Sequence, residues 1–262
     1  MTHYKFKQKN IETLSDIDLD NSNKLYYTYK GCDFYYKKVD TSDKLVVGFH
    51  GSVADRFEVP IFGYFDYNKN ILSIADSLLK EYRHTGLNCA WYLSSKTHSY
   101  KDIYIEILSY FIKPSLYNNI VFTGSSAGGF AAMHYGSYFK AKVIICNSQF
   151  YINKHSKYNE LIKFTGFKED DFVDFDIHSI IKVYGLPKQT IIYQNIRDIS
   201  TFKRHYIPFK TIIEKEQLID KIEFNEFYGA DPIPIDKPHD HHHIRLPENT
   251  TLIDVMNRLH NT

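Results

Sequence analysis

The sequence predicts an α/β fold: a mostly parallel central sheet with helices on both faces and a small cap insertion. Two observations lead there. From residue 33 onward, short apolar runs rich in β-branched and aromatic residues alternate with longer segments of helical period, the rhythm of βαβ crossovers. Around residues 120–139, a buried-strand run, a glycine-rich turn and a helical segment follow one another directly. A chain of 262 residues can bury one sizeable core, so a single domain over 1–262 is expected.

Taken in order, residues 1–30 are polar and weakly patterned, an irregular lead-in in which 26–29 could pair as an edge strand. Strands are expected over 34–39, 45–50, 88–93, 119–123, 142–147, 190–194 and 221–227. Helices are expected over 71–82, 102–112, 127–139 and 251–259. Residues 148–189 mix helical and acidic character, including Lys168-Glu169-Asp170-Asp171. Such a connection crosses the carboxyl edge of the strands, where ligands bind in open α/β sheets, and is read as a cap or lid.

Composition removes several function classes. Lys plus Arg number 32 against 31 for Asp plus Glu, and a net charge of +1 gives no general attraction to nucleic acid or an anionic membrane. The mean hydropathy is −0.39 and no apolar run reaches the length of about 18 residues a membrane span needs, so none is expected. The first ten residues lack the apolar stretch of an export signal. Cys32, Cys89 and Cys146 are an odd, widely spaced set that fits a reduced, cytoplasmic setting.

The chemistry is concentrated in Gly124-Ser125-Ser126-Ala127-Gly128. A nucleophile elbow holds its serine in a strained turn, so the positions two before and two after must be nearly without side chains. Gly124 and Gly128 meet that demand around Ser126, and the strand–turn–helix context turns a common string into a specific one. A serine hydroxyl needs a base to remove its proton and an acid to fix the base's tautomer. The strand over 190–194 delivers Asp198 at its carboxyl end; Asp174 and Asp176 precede that strand and are poorer acids. Asp198 could instead pair with Arg197 or Arg204, or cap a helix.

The base is expected in His239-Asp240-His241-His242-His243, ahead of the last helix. His242 is the first choice, with His239 and His241 as alternatives. The cluster could also bind a transition metal, but no partner ligands from another element can be assigned, so no metal site is expected. Oxyanion donors are expected from the backbone N–H of Ala127 and from Gly51 or Ser52, which follow the strand ending at His50.

With these residues placed, the chain from about Lys44 to Leu259 resembles the α/β-hydrolase superfamily. Within it, Gly-Ser-Ser-Ala-Gly-Gly at 124–129, Asn147-Ser148-Gln149 and Trp91-Tyr92-Leu93 resemble the serine enzymes of bacterial capsule and surface-polysaccharide biosynthesis. The resemblance implies a serine acyltransferase or esterase: an O-acetyltransferase acting on a surface glycan with acetyl-coenzyme A as possible donor, or a carboxylesterase or deacetylase on the same frame. A catalytically silent scaffold in a polysaccharide or secretion assembly is the alternative from another class.

Overall fold

The computed structural model describes residues 8–17, 19, 25–39, 43–53, 69–167 and 175–228. These residues form a sheet of nine strands: β1 (Gln8–Ile11), β2 (Leu25–Tyr29), β3 (Cys32–Lys37), β4 (Lys44–Phe49), β5 (Asn70–Ile74), β6 (Asn119–Ser126), β7 (Lys142–Ser148), β8 (Gln189–Asn195) and β9 (Ile222–Phe227). Their spatial order is β1-β2-β3-β5-β4-β6-β7-β8-β9. From β5 through β9 every pairing is parallel; β3 is antiparallel to both its neighbours, and β1 runs parallel to β2.

The central strands are apolar on consecutive positions because both faces are covered. In β4, Leu45, Val47 and Phe49 join one apolar cluster and Val46 joins another; β7 splits Val143 and Ile145 from Ile144 and Cys146 in the same way. The larger cluster receives the buried sides of α1 (Ser77–Tyr82), α2 (Tyr100–Phe111), α3 (Ala127–Phe139), α4 (Tyr158–Thr165), α5 (Ile177–Tyr184) and α7 (Ile207–Lys215). Among the described residues no helix contributes to the smaller cluster. The helix expected over 251–259 lies outside the described residues.

Helix α3 lies under the sheet's centre and is buried almost all round, which its small residues permit. A Cβ on Gly136 would stand 2.2 Å from Val143 Cγ2, and one on Gly129 would stand 2.6 Å from Ser148 Oγ. The helix can approach the strands this closely only because those positions carry no side chain.

Three expectations about elements need correction. Segment 71–82 is β5 followed by α1, not one helix; Ile71, Leu72 and Ile74 are buried in a strand paired on both edges. Segment 88–93 is no strand: Trp91 and Tyr92 have φ of 54° and 60°, and the chain coils around the carboxylate of Asp76. The aromatic run at 26–29 belongs to β2, which β1 covers, so it is not the sheet's edge. The connection from β7 to β8 holds α4 and α5, with 168–174 outside the described residues.

Candidate active site

Strand β6 ends at Ser126 and α3 begins at Ala127. Ser126 has φ 56° and ψ −124°, a conformation that costs a non-glycine residue about 1–3 kcal/mol and has to be held by its surroundings. Gly124 and Gly128 make the turn possible. A Cβ on Gly124 would lie 2.3 Å from the carbonyl oxygen of Gly128, and one on Gly128 would lie 2.3 Å from that of Phe49. Both clashes are with backbone, which has no room to give.

Ser126 opens into a cavity of about 550 Å³ whose wall includes Gly51, Ser52, Ser125, Gln149, Asp198 and His205. The structure therefore brings the predicted nucleophile, the predicted acid and the predicted β4 oxyanion loop to one cavity. Ala127, at the first position of α3, aims its N–H among the free donors of a helix N-terminus. Gly51 stands against the turn itself, since a Cβ there would lie 3.0 Å from Ser125 O and 3.3 Å from Ser126 Cβ. His239, His241 and His242 lie outside the described residues.

Asp198 follows β8 in a turn whose own N–H reaches Asn195 O at 3.1 Å. Its Oδ1 accepts from the N–H of Thr201 at 3.2 Å, so it caps the short helix α6 (Ile199–Thr201) while facing the cavity. Capping and catalysis are thus not exclusive readings of this residue: a capping bond occupies one lone pair of a carboxylate that has about four. Asp176 caps α5 through Ser179 and does not line the cavity.

Two histidines that sequence reasoning passed over also line this cavity, His155 and His205. His205 sits in a single π-helical turn, Phe202–Tyr206, a geometry that recurs at functional sites. Its Nδ1 accepts from Tyr151 N–H at 3.4 Å, which leaves the proton on Nε2. Burial, aided by electrostatic repulsion from the His155 and Lys154 side, pushes its pKa down to about 3, so it is a neutral imidazole. The wall also carries three cations, Lys154, Lys157 and Arg204, to one carboxylate, Asp198, and Lys157 is paired to Glu160 at 3.0 Å.

Behind the cavity lies a hydrogen-bonded array that no motif announced. The His50 ring accepts from Asp76 N–H through Nε2 at 3.0 Å and donates from Nδ1 to Gly51 O at 2.8 Å. Burial holds its pKa down at about 4, the neutral tautomer this arrangement requires. His50 N–H donates to the Tyr92 hydroxyl at 2.7 Å, which in turn donates to Ile74 O at 3.0 Å. The Asp76 carboxylate accepts from the N–H groups of Leu79, Ala90 and Tyr92 at 3.1–3.2 Å; burial raises its pKa to about 6, and those donors hold it from rising further.

On the other side, the register of β6 against β7 shifts between Ser125 and Ser126, so that Ser125 faces Cys146 and Ser126 faces Ser148. Asn147 is the extra residue of this bulge, at φ 45°, and its Oδ1 accepts from Asn195 N–H at 2.7 Å. The bulge turns Gln149 toward the elbow: its N–H reaches Ser126 O at 3.2 Å and its Nε2 reaches Ser126 Oγ at 3.0 Å. The Asn147-Ser148-Gln149 string thereby acquires a physical meaning, with one residue for the bulge, one under Gly129 and one on Ser126.

Among the described residues no group of three or more His, Cys, Asp or Glu could hold a metal ion, and no helix is long and apolar enough to cross a membrane. No family model matches the sequence, and no curated protein matches it. Solved structures do. The chain is similar to the capsule O-acetyltransferase of Neisseria meningitidis serogroup A at TM-score 0.62 and 17% identity, over 83% of this chain and 92% of that one. A mutant of that enzyme in complex with CoA matches at TM-score 0.61 and 18% identity, over 84% and 94% of the two chains. An S-formylglutathione hydrolase from Agrobacterium tumefaciens matches at TM-score 0.51 and 11% identity, over 75% and 80%. The strand order, the Ser126 elbow and these likenesses agree on one architecture: the chain has the α/β-hydrolase fold.

Proposed function

We propose that the protein is a serine acyltransferase that moves an acetyl group from acetyl-coenzyme A to a sugar hydroxyl of a bacterial surface glycan, in the cytoplasm. The observation that carries this reading is Ser126, held at positive φ on a helix N-terminus in the cavity that Asp198 and Gly51 also line. Structural likeness to a capsule O-acetyltransferase supports the choice of reaction. The cationic wall of Lys154, Lys157 and Arg204 suits a donor that carries phosphates.

In this reading Ser126 Oγ bonds to the acetyl carbon while its proton passes to His242, or to His239 or His241, oriented by Asp198. The carbonyl oxygen takes up the negative charge against the N–H groups of Ala127 and of Gly51 or Ser52. The thiol leaves with the proton. The acceptor hydroxyl then attacks the acetyl-serine and gives its proton to the same histidine, which passes it to Oγ as the Oγ–carbon bond breaks, restoring the free serine and the neutral base. The 148–189 connection serves as the cap over this cavity, and water competes with the sugar to the extent that the cap admits it.

The test is incubation with acetyl-coenzyme A and a panel of capsule oligosaccharides, read by mass. Acetyl gain is expected with the natural protein and none above background with Ser126→Ala, whose fold should be unchanged. Release of acetate with no glycan product would make the protein an esterase. Full transfer by Ser126→Ala would end the serine mechanism, and no reaction together with no labelling by a fluorophosphonate would leave the silent scaffold.

A further inference from the structure

We propose that Gln149 is a catalytic residue, a fixed amide donor to the nucleophile's own oxygen, and that Trp91 is the positioning residue that keeps it a donor. The proposal rests on the reading of Ser126 as nucleophile and goes beyond it, since neither the triad nor the oxyanion N–H groups include such a contact.

The orientation of the Gln149 amide follows from chemistry. Trp91 Nε1 approaches one end of the amide at 2.6 Å, and an indole N–H can only donate. That end is therefore the oxygen Oε1, and the opposite end, 3.0 Å from Ser126 Oγ, is the NH2. An NH2 cannot accept, so the serine proton cannot point at Gln149 and is directed elsewhere on Oγ, where a base can take it. As that proton leaves, charge builds on Oγ against a donor already in place. In the second half-reaction the Oγ–carbon bond breaks and Oγ again gains charge, with the same donor on it. Both halves thus use one contact, and nothing has to reorganise to make it.

The support behind the amide is rigid. Trp91 is fully buried and Gln149 nearly so. Trp91 sits at φ 54° between Ala90 and Tyr92, whose N–H groups both bind Oδ2 of Asp76 at 3.1 Å. The main chain of Gln149 is itself tied to Ser126 O at 3.2 Å. A surface glutamine would sample both amide orientations; this one has a single orientation because a donor-only group stands behind it.

The experiment measures the rate of fluorophosphonate labelling of Ser126 at saturating probe, together with the probe concentration for half-saturation. Gln149→Met keeps the volume and removes the donor; labelling should slow by about 10- to 100-fold with half-saturation unchanged, up to the lower range of what loss of one oxyanion donor costs. Trp91→Phe keeps the ring but frees the amide to turn, and should slow labelling about two- to tenfold, the equilibrium worth of one hydrogen bond. In the double variant Trp91→Phe should add nothing, because it acts only through Gln149. Gln149→Glu, which keeps the Trp91 contact but presents an acceptor to Oγ, should label at least as slowly as Gln149→Met and guards against misfolding of the methionine variant. Natural labelling rates in folded Gln149→Met or Gln149→Glu overturn the donor role, and full additivity in the double variant overturns the positioning role. A natural protein that labels while the variants are unaffected sinks this inference alone; a natural protein that does not label sinks the serine nucleophile and this inference together.

Discussion

At Ser126 two demands meet in one residue: a backbone at positive φ and a side chain presented to the cavity at the end of β6. The residues that satisfy these demands locally, Gly124 and Gly128, are a few positions away, which is why the elbow is legible in the chain itself. Gln149, Trp91 and Asp76 are not, because their contacts join residues 23, 58 and 16 positions apart and involve types common in any core. The cavity histidines belong to the same class, since nothing in the sequence around His155 or His205 differs from an ordinary helical or loop segment. His205 is held neutral with its Nε2 protonated, so it can offer a hydrogen bond but is a poor proton acceptor at neutral pH. Single alanine substitutions at His155, His205, His239, His241 and His242 should therefore separate: kcat falls about 10³-fold or more at the base, expected to be His242, and far less at His155 and His205. A collapse of kcat at His205→Ala with all three loop variants near normal would move the base to the π-helical turn.

Elements built from period and flanking signals were read well where the period was long: β4, β6, β7, β8, β9, α2 and α3 fall within a few residues of their expected bounds. The misreadings have a common physical cause. Segment 88–93 is apolar and aromatic enough for a strand, yet its N–H groups bind a side-chain carboxylate instead of a neighbouring strand, and strand propensity cannot anticipate that competitor. Segment 71–82 has a helix-compatible run of leucines and isoleucines, but pairing with β3 and β4 claims its first third. The elbow is more constrained than either. Gly128→Ala would place a methyl 2.3 Å from Phe49 O and 2.7 Å from His50 O, forcing β4 and α3 apart. A loss of about 3 kcal/mol or more is expected, because the obstacle is backbone and cannot repack. Chemical denaturation would check it, and a loss under about 1 kcal/mol would mean that the turn is looser than these distances require.

Among the described residues, three buried titratable groups shape how stability responds to acid at about pH 4–6. His50 and His205 have folded pKa values near 4 and 3 against an ordinary 6.5, so the stability tied to their neutral forms is present above about pH 6.5 and is lost as pH falls. Asp76 has the opposite sign: its pKa of about 6 stands above the ordinary 3.8, so its contribution is present below that value and is lost as pH rises toward 6. Between about pH 4 and 6 each group acts at roughly 1.4 kcal/mol per pH unit, and two histidines against one carboxylate leave a net gain of about 1.4 per unit with rising pH. Asp76→Asn should remove the opposing contribution and roughly double that slope, whatever it does to absolute stability. Melting curves across this range would show it, and an unchanged or flatter slope would mean that the folded protein does not raise the pKa of Asp76. The same residue has a consequence for descent. Asp76 shares no motif with Ser126, yet its carboxylate holds the Trp91 turn that stands behind Gln149. A descendant that lost this one carboxylate would keep an intact Gly-Ser-Ser-Ala-Gly signature while its site decayed behind it, so a census of relatives by signature would count such lineages as active long after they had fallen silent.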